Sequence, residues 1–290
     1  MQKILILGST GFIGKSFKEF FLNNYRYQII APLRSELNLE KREDCYKFLK
    51  RYKPDIIIHS AVNVNSVEKN INLLFNIMSF NEHYGRLIYF GSGAEYSKKL
   101  YKPLMEEDYS KNSFPESGYE LSKYLCGREI ENCQFNNVFN LRLFGVYGKY
   151  ERYDLRPVSN NILRALSGLP IKIYQDMKLD YLFIDDLCTL IYKFINLKKP
   201  KFKTYNVCSG NPIFLTQLAK IIKDLMNVKK EIVLDNNEFK KEYSGDPSRI
   251  FKELKKIKLT SHKIAVEKII EYHTHQFYNS GKYLISSKAS

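Results

Sequence analysis

The stretch Ile4-Leu5-Ile6-Leu7-Gly8-Ser9-Thr10-Gly11-Phe12-Ile13-Gly14 decides the fold of this chain. Its four apolar residues predict a buried strand, and the segment 15–21 that follows it predicts a helix. Gly8 permits a tight turn, Gly11 lets the backbone approach a pyrophosphate, and Gly14 lets the helix pack close to the strand. An ordinary strand-to-helix turn needs one glycine. Three at this spacing predict a dinucleotide phosphate site, with Thr10, Phe12 and Ile13 beside the cofactor.

The composition is typical of a soluble globular protein, since 44% of the 290 residues are hydrophobic and 27% are charged. No apolar run approaches the ~20 residues that a membrane span needs, so we expect no membrane partner. Met1 leads directly into the first strand and leaves no room for a signal peptide, so we expect a cytoplasmic protein. The five cysteines, which show no C-x-x-C spacing, predict free buried thiols rather than disulfides or a metal site: Cys45, Cys126, Cys133, Cys188 and Cys208.

The formal net charge of +15 raises the question of a nucleic-acid partner. The lysines are spread along the chain, without a basic tail or a recognised binding motif, so we expect no such partner. A positive field would instead attract a phosphorylated cofactor and a nucleotide-linked substrate.

Apolar runs alternate with helix-like stretches in the first half of the chain, which indicates a parallel sheet with right-handed crossovers. We predict an α/β fold, a Rossmann-type doubly wound parallel sheet with a smaller C-terminal α/β substrate lobe. The predicted strands are 4–7, 28–31, 55–59, 87–90 and 138–142, with 182–184 and 204–207 as further strands of the sheet and 229–234 as a short strand outside it. The predicted domains are a dinucleotide-binding domain at 1–150 with returning segments at about 179–208, a substrate-binding lobe at 151–178 and 209–275, and a disordered tail at 276–290.

Two polar side chains of the segment Y-E-L-S-K, Tyr119 and Lys123, are four residues apart and would share one face of a helix. An ammonium near a phenol favours the phenolate, so we expect Lys123 to lower the pKa of Tyr119 from its usual ~10. Such a tyrosine can exchange a proton with a carbonyl or alcohol oxygen. A surface pair is the simpler alternative in a chain with 22 tyrosines. Ser92 favours the catalytic interpretation, because it follows the strand 87–90 and its hydroxyl can bond the same reacting oxygen.

Seven motifs in chain order resemble the extended short-chain dehydrogenase/reductase family that acts on nucleotide-activated sugars. They are G-S-T-G-F-I-G at 8–14, H-S-A at 59–61, F-G-S-G-A-E-Y at 90–96, Y-E-L-S-K at 119–123, L-R-L-F-G-V-Y-G at 141–148, D-Y-L-F-I-D-D at 180–186 and G-D-P-S-R at 245–249. The resemblance implies that Ser92, Tyr119 and Lys123 are the catalytic residues. It also implies a nicotinamide cofactor along the sheet edge, a nucleoside diphosphate sugar under the C-terminal lobe, and a homodimer.

Differences from the family's patterns reduce the number of reactions that this chain is expected to catalyse. Dehydratases of the family carry an Asp-Glu pair after the active-site serine, where this chain has Gly93 and Ala94, and Glu95 comes one residue too late. Fucose synthases use a cysteine and a histidine for epimerisation, and those positions correspond to Ala94 and Pro157. Without these acids and bases, what remains is hydride transfer at a carbonyl.

The chain therefore resembles nucleotide-sugar 4-ketoreductases such as the rhamnose and fucose synthases. We predict an NADPH-dependent reductase of a nucleotide-activated 4-keto sugar, a 6-deoxyhexose or heptose, that serves surface polysaccharide biosynthesis. Two alternatives stay open. A 4-epimerase with tightly held NAD would use the same three residues, and a non-catalytic cofactor-sensing protein would share the fold.

The segment 31–39, A-P-L-R-S-E-L-N-L, resembles the stretch that follows the second strand in those reductases. Arg34 can pair with a 2′-phosphate and Ser35 can donate a hydrogen bond, which favours NADP(H), whereas a ribose hydroxyl held by Glu36 would favour NAD(H). The resemblance implies further contacts. Asn38 and Leu39 would border the adenine, Ala61 the centre of the cofactor and Lys123 its nicotinamide ribose. Ser92, Gly93 and Tyr119 would contact the sugar, and Arg156 or Arg249 its diphosphate, and no metal is needed.

Overall fold

The computed structural model describes residues 1–23, 26–112, 114–116, 118–236, 238, 240–255 and 257–280. Within these ranges the strands are β1 Gln2–Leu7, β2 Tyr27–Ile30, β3 Ile56–His59, β4 Arg86–Ser92, β5 Val138–Leu143, β6 Gly145–Tyr147, β7 Lys172–Gln175, β8 Lys178–Leu179, β9 Tyr181–Phe183, β10 Thr204–Val207, β11 Ile213–Phe214 and β12 Val233–Asn236. The α-helices are α1 Phe12–Leu22, α2 Arg42–Tyr52, α3 Val67–Met78, α4 Gly118–Asn132, α5 Pro157–Leu166, α6 Ile184–Ile195, α7 Leu215–Leu225, α8 Ser248–Leu254 and α9 His262–Ser280.

The main sheet of the described chain has six parallel strands in the order β10-β5-β4-β3-β1-β2. The order reverses at β1, so the crossovers place helices on both faces. Along β1, Ile4 and Ile6 pack in one core cluster with side chains of α1 and α6, and Leu5 and Leu7 pack in another with side chains of α2, α3 and α4. The predicted Rossmann-type doubly wound α/β fold is confirmed.

In the described part of the chain, three small sheets lie outside the main one. β6 pairs with β9 and β12 with β7, both parallel, and β11 pairs antiparallel with β8. The prediction that 182–184 is a strand of the main sheet is therefore wrong, because β9 pairs with β6, a short strand that follows β5 after a single intervening residue. The short strand predicted at 229–234 lies outside the main sheet, as expected, although β12 begins only at Val233.

The C-terminal helix α9 extends through Ser280 and packs against α5 and α7. The first five residues of the predicted disordered tail, 276–280, are therefore helical, and residues 281–290 lie outside the described part of the chain. The predicted division into two lobes stays a prediction. Among the described residues, no helix combines the length and the apolar character that crossing a bilayer requires.

Candidate active site

The turn between β1 and α1 is built on three glycines with different surroundings. A Cβ atom at Gly8, whose φ is +81°, would lie 2.6 Å from the backbone nitrogen of Ala61, and a Cβ at Gly14 would overlap the carbonyl oxygen of Gly8. A Cβ at Gly11 would meet only that oxygen, at 3.5 Å, so this residue faces open space. The whole of α1 is described, and its first turn contains no acidic side chain. The turn therefore offers backbone N–H groups to an anion.

Two cavities meet at this turn and share Gly8 and Gly11 in their walls. The first, of about 320 Å³, is lined among others by Thr10, Arg34, Asn38, Leu39 and Ala61. The second, of about 630 Å³, is lined among others by Phe12, Ile13, Gly14, Ser92, Tyr119, Lys123 and Arg156. Both sizes lie in the range of ligand sites. Two cavities joined at a glycine turn agree with the predicted dinucleotide site, and the position of the pyrophosphate over Gly11 stays a prediction.

The residues predicted to determine the preference for NADP or NAD differ in whether they line the first cavity. Arg34 lines it, is exposed, and pairs with Glu40 at 2.8 Å. Ser35 is exposed and does not belong to the described lining. The Glu36 carboxylate accepts a hydrogen bond from the backbone N–H of Leu33 at 2.7 Å and also lies outside that lining. Of these three residues, only Arg34 belongs to the described lining of the first cavity.

The second cavity brings the three predicted catalytic residues together. Ser92 ends β4, at the carboxyl edge of the sheet, and Tyr119 and Lys123 lie on α4. The buried ammonium of Lys123 donates hydrogen bonds to the Phe90 carbonyl oxygen at 2.6 Å and to the Tyr89 hydroxyl at 3.0 Å. Its nitrogen lies 5.8 Å from the centroid of the Tyr119 ring. Lys123 is thus near the phenol but is anchored to β4.

Protonation in this cavity differs from the prediction. Burial raises the pKa of Tyr119, and a hydrogen bond with the Ser92 side chain and the charge of Arg156 oppose that rise only in part. Burial also lowers the pKa of Lys123 to about 8. The expectation that Lys123 lowers the pKa of Tyr119 is therefore wrong, because loss of water around the phenol outweighs the nearby charges. At neutral pH both groups hold their protons.

Glu95 lies directly behind this cavity and is fully buried. One carboxylate oxygen accepts a hydrogen bond from the backbone N–H of Ser92 at 3.1 Å, and the other accepts one from Nε of the buried Arg142 at 2.6 Å. A Cβ atom at Gly91 or at Gly127 of α4 would overlap this carboxylate. Glu95 therefore connects the end of β4 with the helix that carries Tyr119, and it is not placed to protonate a substrate.

Two predicted substrate contacts are placed elsewhere. Gly93 does not belong to the described lining of the second cavity, because the side chains of Tyr243 and Phe144 cover it. Arg249 is also outside that lining, since its guanidinium pairs with Glu107 at 3.2 Å and with Asp108. Arg156, by contrast, is exposed and lines the cavity.

Several residues of the second cavity were not predicted: Lys98, Tyr101, Glu120, Phe144 and Tyr243. Two of them had a signal in the sequence. Phe144 belongs to the motif at 141–148, and Tyr243 precedes the motif at 245–249 by two residues. A hydrogen bond from Lys98, at 2.5 Å, lowers the pKa of Glu120, so that this carboxylate stays ionised.

The sequence pattern of the NAD dependent epimerase/dehydratase family matches residues 4–208. The chain belongs to this family. The predicted resemblance is thereby confirmed. A curated relative, a GDP-L-colitose synthase of Yersinia pseudotuberculosis, is 24% identical over 266 residues, which cover 82% of this chain and 86% of the relative.

Solved structures with the same fold perform different reactions. A GDP-mannoheptose C4 reductase from Campylobacter jejuni with NADP bound has a TM-score of 0.80 at 22% identity, covering 94% of this chain and 98% of that chain. A dTDP-glucose 4,6-dehydratase from Bacillus anthracis in complex with NAD also has a TM-score of 0.80, at 18% identity, covering 97% and 98%. The predicted nicotinamide dinucleotide agrees with both neighbours, and NADP and NAD both stay open at this level.

Proposed function

We propose that this protein is an NADPH-dependent reductase of a nucleotide-activated 4-keto sugar, a 6-deoxyhexose or a heptose. The observation that carries the proposal is that Tyr119, Ser92 and Lys123 line one cavity that adjoins the glycine turn, where burial raises the pKa of Tyr119. A protonated phenol can deliver a proton to a developing alkoxide. Glu95 is held by Arg142, and Glu120 by Lys98, so neither carboxylate is available as the acid that loss of water from the sugar requires.

In the proposed reaction, the glycine turn and Arg34 would hold NADPH in the two cavities, and this cofactor would supply the hydride that reduces C4 of the sugar. The Ser92 hydroxyl orients the carbonyl oxygen, and Tyr119 donates its phenolic proton to that oxygen. The Lys123 ammonium, which is 5.8 Å from the Tyr119 ring, stabilises the phenolate left behind. Arg156, exposed at the same cavity, would hold the substrate diphosphate. Arg249 is not retained in this role because Glu107 and Asp108 occupy its guanidinium.

The preference for NADPH rests on Arg34. Its guanidinium lines the first cavity and can turn from Glu40 to a 2′-phosphate. The paired N–H donors of a guanidinium match the oxygen atoms of a phosphate. Glu36, the residue that would favour NAD, is engaged by the Leu33 backbone. The names of the relatives, a GDP-L-colitose synthase among them, favour a guanosine diphosphate sugar as substrate. The family resemblance supports a homodimer, and we propose that the protein works in surface polysaccharide biosynthesis.

The test is a panel of 4-keto nucleotide sugars incubated with NADPH or NADH and followed by nicotinamide absorbance. We expect reduction with NADPH, and a fall in kcat of roughly 10²–10⁴-fold in Tyr119→Phe, with unchanged NADPH affinity. The matched control is Tyr174→Phe, which removes a hydroxyl from an exposed residue of β7.

Arg34→Ala should raise KM for NADPH and leave KM for NADH unchanged. A protein purified with tightly bound NAD that interconverts C4 epimers without added NADPH would instead be a 4-epimerase. Full turnover in Tyr119→Phe would overturn the role of Tyr119, and cofactor binding without turnover of any sugar by the wild type would favour the non-catalytic alternative.

A further inference from the structure

Tyr243 reaches the second cavity from a segment far away in the sequence. Its backbone is fixed on β8, because its N–H donates to the Lys178 carbonyl oxygen at 2.9 Å and its own carbonyl accepts from the Asp180 N–H at 3.0 Å. Its ring packs against Phe144, with centroids 5.0 Å apart, and against Tyr101, with centroids 5.1 Å apart. The side chain therefore points toward the cavity from a rigid base.

The Tyr243 hydroxyl lies at the position that a side chain of residue 93 would occupy. A Cβ atom at Gly93 would overlap this hydroxyl and would come within 2.7 Å of the Phe144 ring. Ser92, the residue before Gly93, lines the same cavity as Tyr119 and Tyr243. Two phenols thus face the cavity into which the Ser92 side chain extends.

Burial raises the pKa of Tyr243 well above its usual value, so this phenol stays protonated and acts as a hydrogen-bond donor. Tyr243 is half-buried and lines the second cavity, so a bound ligand can reach its side chain. A sugar in the cavity, rich in oxygen atoms, would supply an acceptor for this donor.

We propose that the Tyr243 hydroxyl donates a hydrogen bond to the sugar of the nucleotide sugar and is a specificity-determining residue of this site. The inference rests on the proposed function, since it takes a nucleoside diphosphate sugar as the ligand. Tyr243 fills the place that Gly93 leaves open. The sugar is therefore recognised by the C-terminal part of the chain, whereas the reaction is carried out by β4 and α4.

The experiment compares Tyr243→Phe with the wild type by calorimetry in the presence of NADP⁺, with GDP and GDP-mannose as the two probes. We expect the affinity for GDP-mannose to fall about tenfold and the affinity for GDP to stay unchanged, because the lost hydrogen bond is to the sugar. The matched control is Tyr109→Phe. Tyr109 packs on the same cluster and donates to the Leu100 carbonyl at 2.9 Å, but it lies outside the described lining of the cavity.

Equal affinities of Tyr243→Phe and the wild type for GDP-mannose would overturn the inference, and so would an equal loss for GDP and GDP-mannose. An equal loss in Tyr109→Phe would show that the hydroxyl acts through the packing of the cluster, which also overturns it. If the wild type bound neither probe, the guanosine diphosphate sugar favoured as substrate would fail, and the inference about GDP-mannose with it. If the wild type reduced no 4-keto sugar but Tyr243→Phe still lost affinity for GDP-mannose alone, only the proposed reaction would fail.

Discussion

At the scale of single residues, burial has opposite effects on the pKa values of the phenol and the ammonium in the second cavity. The Lys123 ammonium is satisfied by the Phe90 carbonyl and the Tyr89 hydroxyl, and burial lowers its pKa from 10.5 to about 8. Burial raises the pKa of Tyr119 above its usual value of 10. Of these two groups, Lys123 is therefore the first to lose its proton as the pH rises.

We expect kcat for sugar reduction to fall as the pH rises through about 8, because Lys123 then loses the charge that stabilises the Tyr119 phenolate. Unfolding does not explain such a fall. The folded-state pKa of Lys123 lies below its unfolded value, so between pH 8 and 10.5 its titration makes the free energy of unfolding larger as the pH rises. The measurement is kcat against pH, with a thermal melt at each pH. A rate that stays constant up to pH 10 would show that loss of the Lys123 charge does not limit the reaction.

At the scale of elements, the glycines of the turn between β1 and α1 have different roles, although the sequence motif does not distinguish them. Gly14 packs the helix against the Gly8 carbonyl, and Gly11 faces the cavities. The two positions therefore differ in what a methyl group would disturb.

Gly14→Ala should lower the free energy of unfolding by about 1–3 kcal/mol, because its Cβ forces α1 away from β1. Gly11→Ala should leave the unfolding free energy unchanged and weaken NADPH binding by at least roughly tenfold, on the order of 1.4 kcal/mol, because its Cβ projects toward the pyrophosphate. Urea unfolding and fluorescence titration with NADPH measure the two effects. Equal NADPH affinities of Gly11→Ala and the wild type would show that the cofactor does not lie over this glycine.

At the scale of the whole molecule, two buried histidines make the free energy of unfolding depend on pH. Nε2 of His59 lies 2.9 Å from the Leu73 carbonyl oxygen, and Nε2 of His273 lies 2.7 Å from the Ser159 hydroxyl. Burial lowers the pKa of each imidazole from 6.5 to about 4. The unfolded chain therefore binds more protons than the folded chain between these two pH values.

We expect the free energy of unfolding to fall as the pH drops from 6.5 toward 4, by up to about 3 kcal/mol for each histidine. Urea unfolding across this pH range measures the slope. His59→Gln, which cannot titrate, should remove about half of the histidine contribution to the slope. A slope that is unchanged in this variant would mean that His59 is protonated in the folded protein.

The sequence predicts the parts of this molecule that depend on local pattern. The glycine turn, the six strands of the main sheet and the placement of Ser92, Tyr119 and Lys123 follow from alternation, spacing and the rule that parallel strands end at one edge. It does not predict contacts between distant segments. Tyr243 covers Gly93 across 150 residues, and Arg249 pairs with Glu107 rather than facing the cavity. Burial reverses the expected pKa shift of Tyr119, because no local spacing reports how much water the fold removes.

The carboxylate of Glu95 has a consequence for how related sequences can diverge. It fills the volume left by two missing Cβ atoms, at Gly91 and Gly127, and it neutralises the guanidinium of Arg142 in the interior. Replacing Glu95 alone would leave a void and an unpaired buried charge, and each would lower the stability of the fold. We therefore expect positions 91, 95, 127 and 142 to covary among related sequences. A designed substitution at one of them requires matching substitutions at the others.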